Sequence, residues 1–143
     1  MTNVLVDKQV SWLAREEKQG LLKDSFIRPL DQDLDLNKPR PARDVGGTTK
    51  FRKFFRAIPE SSPLKNEIIR IRQDLMEDLS RGDLIPQDRW PPEYRQLGIT
   101  NLWRYPLKSA FRLIYTVISD SDGFLGSIIE VLSHKEYEKR FGY

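Results

Sequence analysis

Arg104, Lys108, Arg112, Glu130 and His134 are spaced so that one surface of a small β-sheet gathers them. They lie in or just beyond three segments rich in aromatic and branched residues, 102–107, 111–118 and 126–133, which read as strands. Side chains alternate across a strand, so even positions share one face. On that face Arg104, Pro106, Lys108, Arg112, Ile114, Thr116, Ile118, Ile128, Glu130, Leu132 and His134 interleave charge with apolar surface. Cations beside apolar patches suit a ligand carrying both phosphates and bases. The one imidazole in the chain belongs to the side-chain type that exchanges protons near neutral pH. A second reading is that the face is simply solvated, its Arg, Lys and Glu forming cross-strand pairs, Glu130 with Arg112 among them.

The odd positions of the same strands are Trp103, Tyr105, Leu107, Phe111, Leu113, Tyr115, Val117, Ile129 and Val131. That face is apolar throughout and must pack against something. Two helices precede the strands. Phe51, Phe54, Phe55 and Ile58 recur at helical spacing, with Thr48 or Thr49 as cap and Pro59 as stop. Ser61 or Ser62 caps a second helix, Pro63 suits its first turn, and Leu64, Ile68, Ile71, Leu75 and Leu79 carry it to Gly82. The short connection makes a hairpin that covers the odd face. Residues 83–100 are Pro-rich and irregular, a covering loop anchored by Trp90 and Tyr94. Lys108, Ser109 and Ala110 turn the first strand into the second, and Asp and Gly turn the second into the third. The result is a three-stranded antiparallel meander. A last short helix sets Tyr137 and Phe141 four apart on one side.

The first 47 residues differ. A short amphipathic helix is predicted over residues 7–19, ended by Gly20, and a weak strand over 25–30. Residues 31–47, with three alternating Asp, two Pro and two Gly, read as loop or linker. Asp31, Asp33 and Asp35 lack the Gly and closing Glu of a calcium loop. The predicted organisation is an extension over 1–47 and an α+β domain over 48–143, a helical hairpin on an antiparallel sheet of three to four strands.

Composition narrows the chemistry. A chain of 143 residues without Cys and with one His has no zinc ribbon, iron–sulfur cluster, disulfide framework, thiol nucleophile or multi-His metal centre. The net charge of +3 is spread evenly along the chain, so any phosphate-binding patch must be assembled by folding. No stretch approaches the roughly 18 apolar residues of a membrane helix, and a cytoplasmic protein is expected.

The order helix, helix, three strands, with F-R-L-I-Y-T-V at 111–117 and V-L-S-H-K-E-Y at 131–137, resembles the RelE/ParE superfamily of toxin–antitoxin toxins, its RelE side most. The segment Y-R-Q-L-G-I-T-N-L-W-R-Y and the closing H-K-E-Y-E-K-R-F-G-Y are similar to members of the same superfamily, and the likeness covers roughly residues 49–143. It implies a RelE-like fold whose first strand lies within the N-terminal 47 residues, where 25–30 is the candidate. It implies a type II toxin that inhibits translation as a metal-independent, cofactor-free endoribonuclease, cutting messenger RNA on the ribosome by 2′-hydroxyl attack. Its partners would be messenger RNA, the ribosome and a cognate antitoxin. Arg112 would stabilise charge on the phosphate, His134 would move protons, and Tyr137 would position substrate. Arg104, Lys108, Lys135 and Phe141 would contact RNA. The alternative is a non-catalytic member of the fold that binds a protein, a gyrase-type target or the antitoxin. Only Arg104 and Lys108 stand where RelE-type members carry a run of Lys.

Overall fold

The computed structural model describes residues 39–142. The helix expected over 7–19, the strand over 25–30 and the Asp31, Asp33, Asp35 loop lie outside them.

The architecture is α+β, but the sheet is larger than the three to four antiparallel strands expected, and it is mixed. Its five strands are β1 (Asp44–Gly47), β2 (Asp83–Leu84), β3 (Trp103–Pro106), β4 (Phe111–Asp120) and β5 (Gly123–Ser133), in the order β1-β5-β4-β3-β2. The added strands are the two edges. β1 runs parallel to β5, pairing Asp44 with Leu125 through Gly47 with Ile128. β2 pairs antiparallel with β3, and the β3-β4-β5 meander is antiparallel as predicted. β1 falls in the stretch read as linker and on the extension side of the expected boundary at residue 47. It belongs to the folded unit because Val45 is wholly buried and Arg43 N–H donates to Phe124 O at 2.7 Å.

Helix α1 (Thr49–Ala57) and helix α2 (Pro63–Glu77) form where their caps predict. Thr48 Oγ1 accepts from Phe51 N–H at 3.2 Å and donates to Ile129 O at 2.7 Å, so one hydroxyl caps α1 and ties it to the sheet. Ser62 caps α2, with Pro63 in its first turn. α2 stops at Glu77, and a single 3₁₀ turn over Leu79–Arg81 replaces its expected last turn. Phe51, Phe55, Ile68, Ile71 and Leu75 pack on Trp103, Leu113, Tyr115 and Val117, which is the predicted apolar face.

The opposite face is a second core rather than a solvated surface. Ile85, Trp90 and Tyr94 from the covering segment, Leu102 just before β3, and Tyr137 from helix α4 (His134–Phe141) bury Ile114, Ile129 and Leu132. The short helix α3 (Pro92–Arg95) carries Tyr94. A β-bulge explains why Ile129 is there. Ile114 pairs with Glu130 but Tyr115 with Ile128, leaving Ile129 as the extra residue. Strict alternation therefore fails at one place: Ile128 faces the helices and Ile129 the second core, the reverse of the expected faces. Among the described residues no helix is long and apolar enough to cross a membrane.

Asp78, between α2 and the 3₁₀ turn, accepts on Oδ1 from Arg40 N–H (2.9 Å), Ser80 N–H (3.0 Å) and the Ser80 hydroxyl (2.6 Å). Burial opposes its charge, yet these hydrogen bonds outweigh burial and hold the carboxyl below its usual range. A depressed folded-state pKa contributes stability above the unfolded carboxylate value of about 4, lost as pH falls through the folded value. Asp78→Asn is therefore expected to lower stability at neutral pH and to flatten the acid limb of a urea-unfolding series. Parallel limbs for variant and wild type would contradict this linkage.

Candidate functional site

The site forms where β3 and β4 meet the start of α4. Arg104 sits on β3 between Asp83 of β2 and Ile114 of β4, and Arg112 sits near the start of β4 between Pro106 and Leu132. Both even positions project to the side on which α4 packs. β5 ends at Ser133, whose Oγ accepts from Glu136 N–H at 3.1 Å while Glu136 accepts from Ser133 N–H at 2.9 Å. This capping box fixes the direction in which α4 leaves the sheet. The Ser133 N–H is also the main reason the Glu136 carboxyl is held below its usual range. Ser133→Ala is expected to cost about 1 kcal/mol of stability, read from equilibrium unfolding, with a change below a few tenths of that contradicting the assignment.

The capped helix turns His134, Tyr137 and Glu138 over Arg104, Pro106 and Arg112, with Asp83 at the edge, around an open cleft of about 360 Å³. That volume falls within the range of small-ligand sites, roughly 300–1,000 Å³. Tyr137 is its pivot. Arg104 Nη1 donates to the Tyr137 hydroxyl oxygen at 2.6 Å, and the guanidinium carbons of Arg104 and Arg112 lie 5.8 and 5.7 Å from the Tyr137 ring centroid. One ring thus holds two cations by its face and edge. Tyr137 is only 4 % exposed, so its ring backs the two arginines and offers no face to a base. The resemblance gives it a substrate-positioning role; its contacts here are with Arg104, Arg112 and Phe141.

The charges are not equally committed. Arg104 lies 3.5 Å from Asp83. Burial works against its charge, but the Tyr137 hydroxyl and then Asp83 outweigh it and raise the guanidinium further above the range in which it would lose its proton. His134 Nε2 lies 3.1 Å from Glu138 Oε2, one helical turn on. Arg112 reaches only the carbonyl of Phe111, at 3.2 Å, and pairs with no carboxylate among the described residues. It is the uncompensated cation of the cleft.

The structure brings together Arg104, Arg112, His134 and Tyr137, and separates the other expected residues from them. Lys108 lies exposed in the β3-β4 turn, where its backbone N–H is held by Glu67, and it does not line the cleft. Lys135 is exposed on α4 beside His134 and does not line it either. Phe141 stacks on Tyr137, with centroids 4.4 Å apart, but opens onto a different cleft. Glu130 does not pair with Arg112. It is buried, accepting from the Tyr94 hydroxyl, from Arg140 Nη1 at 2.5 Å and from Lys50 Nζ at 2.7 Å.

No family model, curated protein or solved structure matches this chain. Asp83 and Glu138 are the lining residues that sequence reasoning missed. The His134–Glu138 spacing of four along a helix was a usable signal. Asp83 had none, because it reaches Arg104 only through the two-residue strand β2.

Proposed function

We propose that this chain is a RelE-like toxin of a type II toxin–antitoxin system, a metal-independent endoribonuclease that cuts messenger RNA on the ribosome in the cytoplasm. The observation that carries the reading is one open cleft holding Arg112, without a carboxylate partner among the described residues, beside an imidazole whose Nε2 lies 3.1 Å from Glu138.

The chemistry follows from those groups. Glu138 takes up the Nε2 side of His134, leaving Nδ1 to accept the proton of a ribose 2′-hydroxyl. The 2′-oxygen forms a bond to the adjacent phosphorus, and the bond from phosphorus to the 5′-oxygen of the next nucleotide breaks. That oxygen leaves with a proton returned by the imidazolium, giving a 2′,3′-cyclic phosphate and a 5′-hydroxyl. Arg112 meets the negative charge that builds on the phosphoryl oxygens, where a fixed cation lowers the barrier most. Arg104, held by Tyr137 and Asp83, supplies a second phosphate contact in a planar fork. A cognate antitoxin would silence the protein by covering this cleft.

The reading is tested on messengers translated by purified ribosomes. Products ending in a 2′,3′-cyclic or 3′-phosphate are expected, and a single 2′-deoxy substitution at the cut nucleotide should abolish cleavage there. Continued cutting at the deoxy position, or 5′-phosphate ends, would contradict 2′-hydroxyl attack.

A further inference from the structure

In the proposed cleavage step Arg112, His134 and Glu138 leave one carboxylate of the cleft with an oxygen to spare. Asp83 lines the cleft from β2 with its side chain 60 % exposed, and its Oδ2 lies 3.5 Å from Arg104 Nη2. Its other oxygen, Oδ1, meets no hydrogen-bond donor among the described residues. We infer that Asp83 reads the base of the nucleotide held in the cleft and selects guanine. The inference rests on the nuclease reading of the cleft and adds a base preference to it.

Asp83 is held from both sides. Gly82 N–H donates to the Tyr115 hydroxyl oxygen at 3.1 Å, and Ile85 N–H donates to Leu102 O at 2.8 Å. At Gly82 there is no room for a side chain, since a Cβ would lie 2.6 Å from the Tyr115 hydroxyl and 2.8 Å from Arg104 O. The two-residue strand thus sets Asp83 directly across from Arg104. Strand order then sets its distance from the phosphate-binding end. β2, β3 and β4 are successive neighbours, about 10 Å across, and Arg104 precedes Pro106, the partner of Arg112, by two residues or roughly 7 Å. The diagonal puts the Cα atoms of Asp83 and Arg112 about 12 Å apart. With both side chains lining the cleft, that is the span of one nucleotide from its phosphate to the far edge of its base.

A carboxylate only accepts hydrogen bonds and repels phosphate, so at the end away from Arg112 it serves a base and not the backbone. The ribose hydroxyls lie next to the phosphate, at the Arg112 end. The two oxygens of a carboxylate match two N–H donors set side by side. On its Watson–Crick edge guanine offers N1–H beside the exocyclic amine. Adenine and cytosine set one amine beside a ring nitrogen that accepts, and uracil sets one N–H between two carbonyls, so each meets a carboxylate with an acceptor as well as a donor. Oδ2 keeps its loose contact with Arg104 and has a lone pair left for the second donor.

The test uses the full chain on purified ribosomes, with messengers whose A-site codon carries guanosine on the 5′ or the 3′ side of the cut, and the same messengers with inosine there. Inosine keeps N1–H and lacks only the amine. Wild type should cut one of the guanosine messengers about tenfold faster than its inosine counterpart, the worth of one hydrogen bond to a charged group. Asp83→Asn, at an exposed position where the fold tolerates it, puts an amide donor where one acceptor stood and should cut the two within about twofold of each other. Equal rates on guanosine and inosine in wild type, at both positions, would overturn the inference while the nuclease reading stands. So would an Asp83→Asn protein that cuts both messengers more slowly and keeps the guanosine preference, for Asp83 would then act only through Arg104. An unchanged rate and preference in that variant would overturn it as well. If folded wild-type protein cuts no messenger at all, the nuclease reading fails and the base preference fails with it.

Discussion

Arg112→Ala is expected to slow messenger cleavage by about two to three orders of magnitude, the usual effect of removing one preorganised group that meets transition-state charge. The fold should barely register the change. Arg112 is half-buried at the start of β4, makes no ion pair among the described residues, and hydrogen-bonds only to its neighbouring carbonyl. Arg104→Ala should impair cleavage as well, but with a stability cost of about 1 kcal/mol, because it removes the 2.6 Å hydrogen bond to the buried Tyr137 hydroxyl. Arg112→Lys keeps the charge without the planar fork, so it should recover part of the rate. Single-turnover cleavage, with unfolding curves for each variant, separates these effects. A folded Arg112→Ala protein cutting within threefold of wild type would remove Arg112 from the reaction.

The largest stability effect is expected at Glu130. Its carboxylate is 3 % exposed and receives the Tyr94 hydroxyl, Arg140 and Lys50. Lys50 is 67 % exposed and contributes little; Arg140, at 22 %, and the buried Tyr94 are the partners that matter. Burial, reinforced by the carboxylate, pushes the Tyr94 phenol far up, so it stays protonated and donates. Through these contacts one residue of β5 holds the covering segment at Tyr94 and α4 at Arg140. Glu130→Ala leaves the buried Tyr94 hydroxyl without its acceptor and the partly buried Arg140 with only the looser Glu93 contact at 3.6 Å, for a cost of about 3 kcal/mol. The melting temperature should fall by on the order of 10 °C. Cleavage should fall too, since α4 carries His134. A loss under about 0.5 kcal/mol would mean that the network contributes only surface pairing.

The helices were legible because their ends are written locally: Thr48 before the Phe51 stripe, Pro59 after it, Ser62 and Pro63 at the next start. So was the burial of the odd face. β1 was not, because Asp44-Val45-Gly46-Gly47 carries one β-former and two glycines, and its strand exists through pairing with β5. The bulge at Ile129 left no local mark either, since Ile128 and Ile129 are both apolar and either could face either layer. Glu130 kept its expected face, but Tyr94 from the covering segment and Arg140 from α4, both distant in sequence, reach it there instead of Arg112. At the site, Arg104 and Arg112 were legible from alternation and register. Lys108 was placed by carrying the alternation past Pro106, where β3 ends and the turn begins, and Lys135 came with the resemblance, which does not say which way a helix face points. The second core was half legible: Trp90 and Tyr94 marked the Pro-rich segment as a cover, but nothing local said which face it covers.

RNA cleavage by the cleft of Arg104, Arg112, His134 and Glu138 is read by giving purified ribosomes translating a defined messenger to wild-type protein, folded Arg112→Ala and folded His134→Ala. The predicted result is cutting within the A-site codon by wild type and loss of cutting in both variants. No cutting by folded wild-type protein free of antitoxin, or equal cutting by all three, would contradict it and leave a protein-binding surface as the reading of this face.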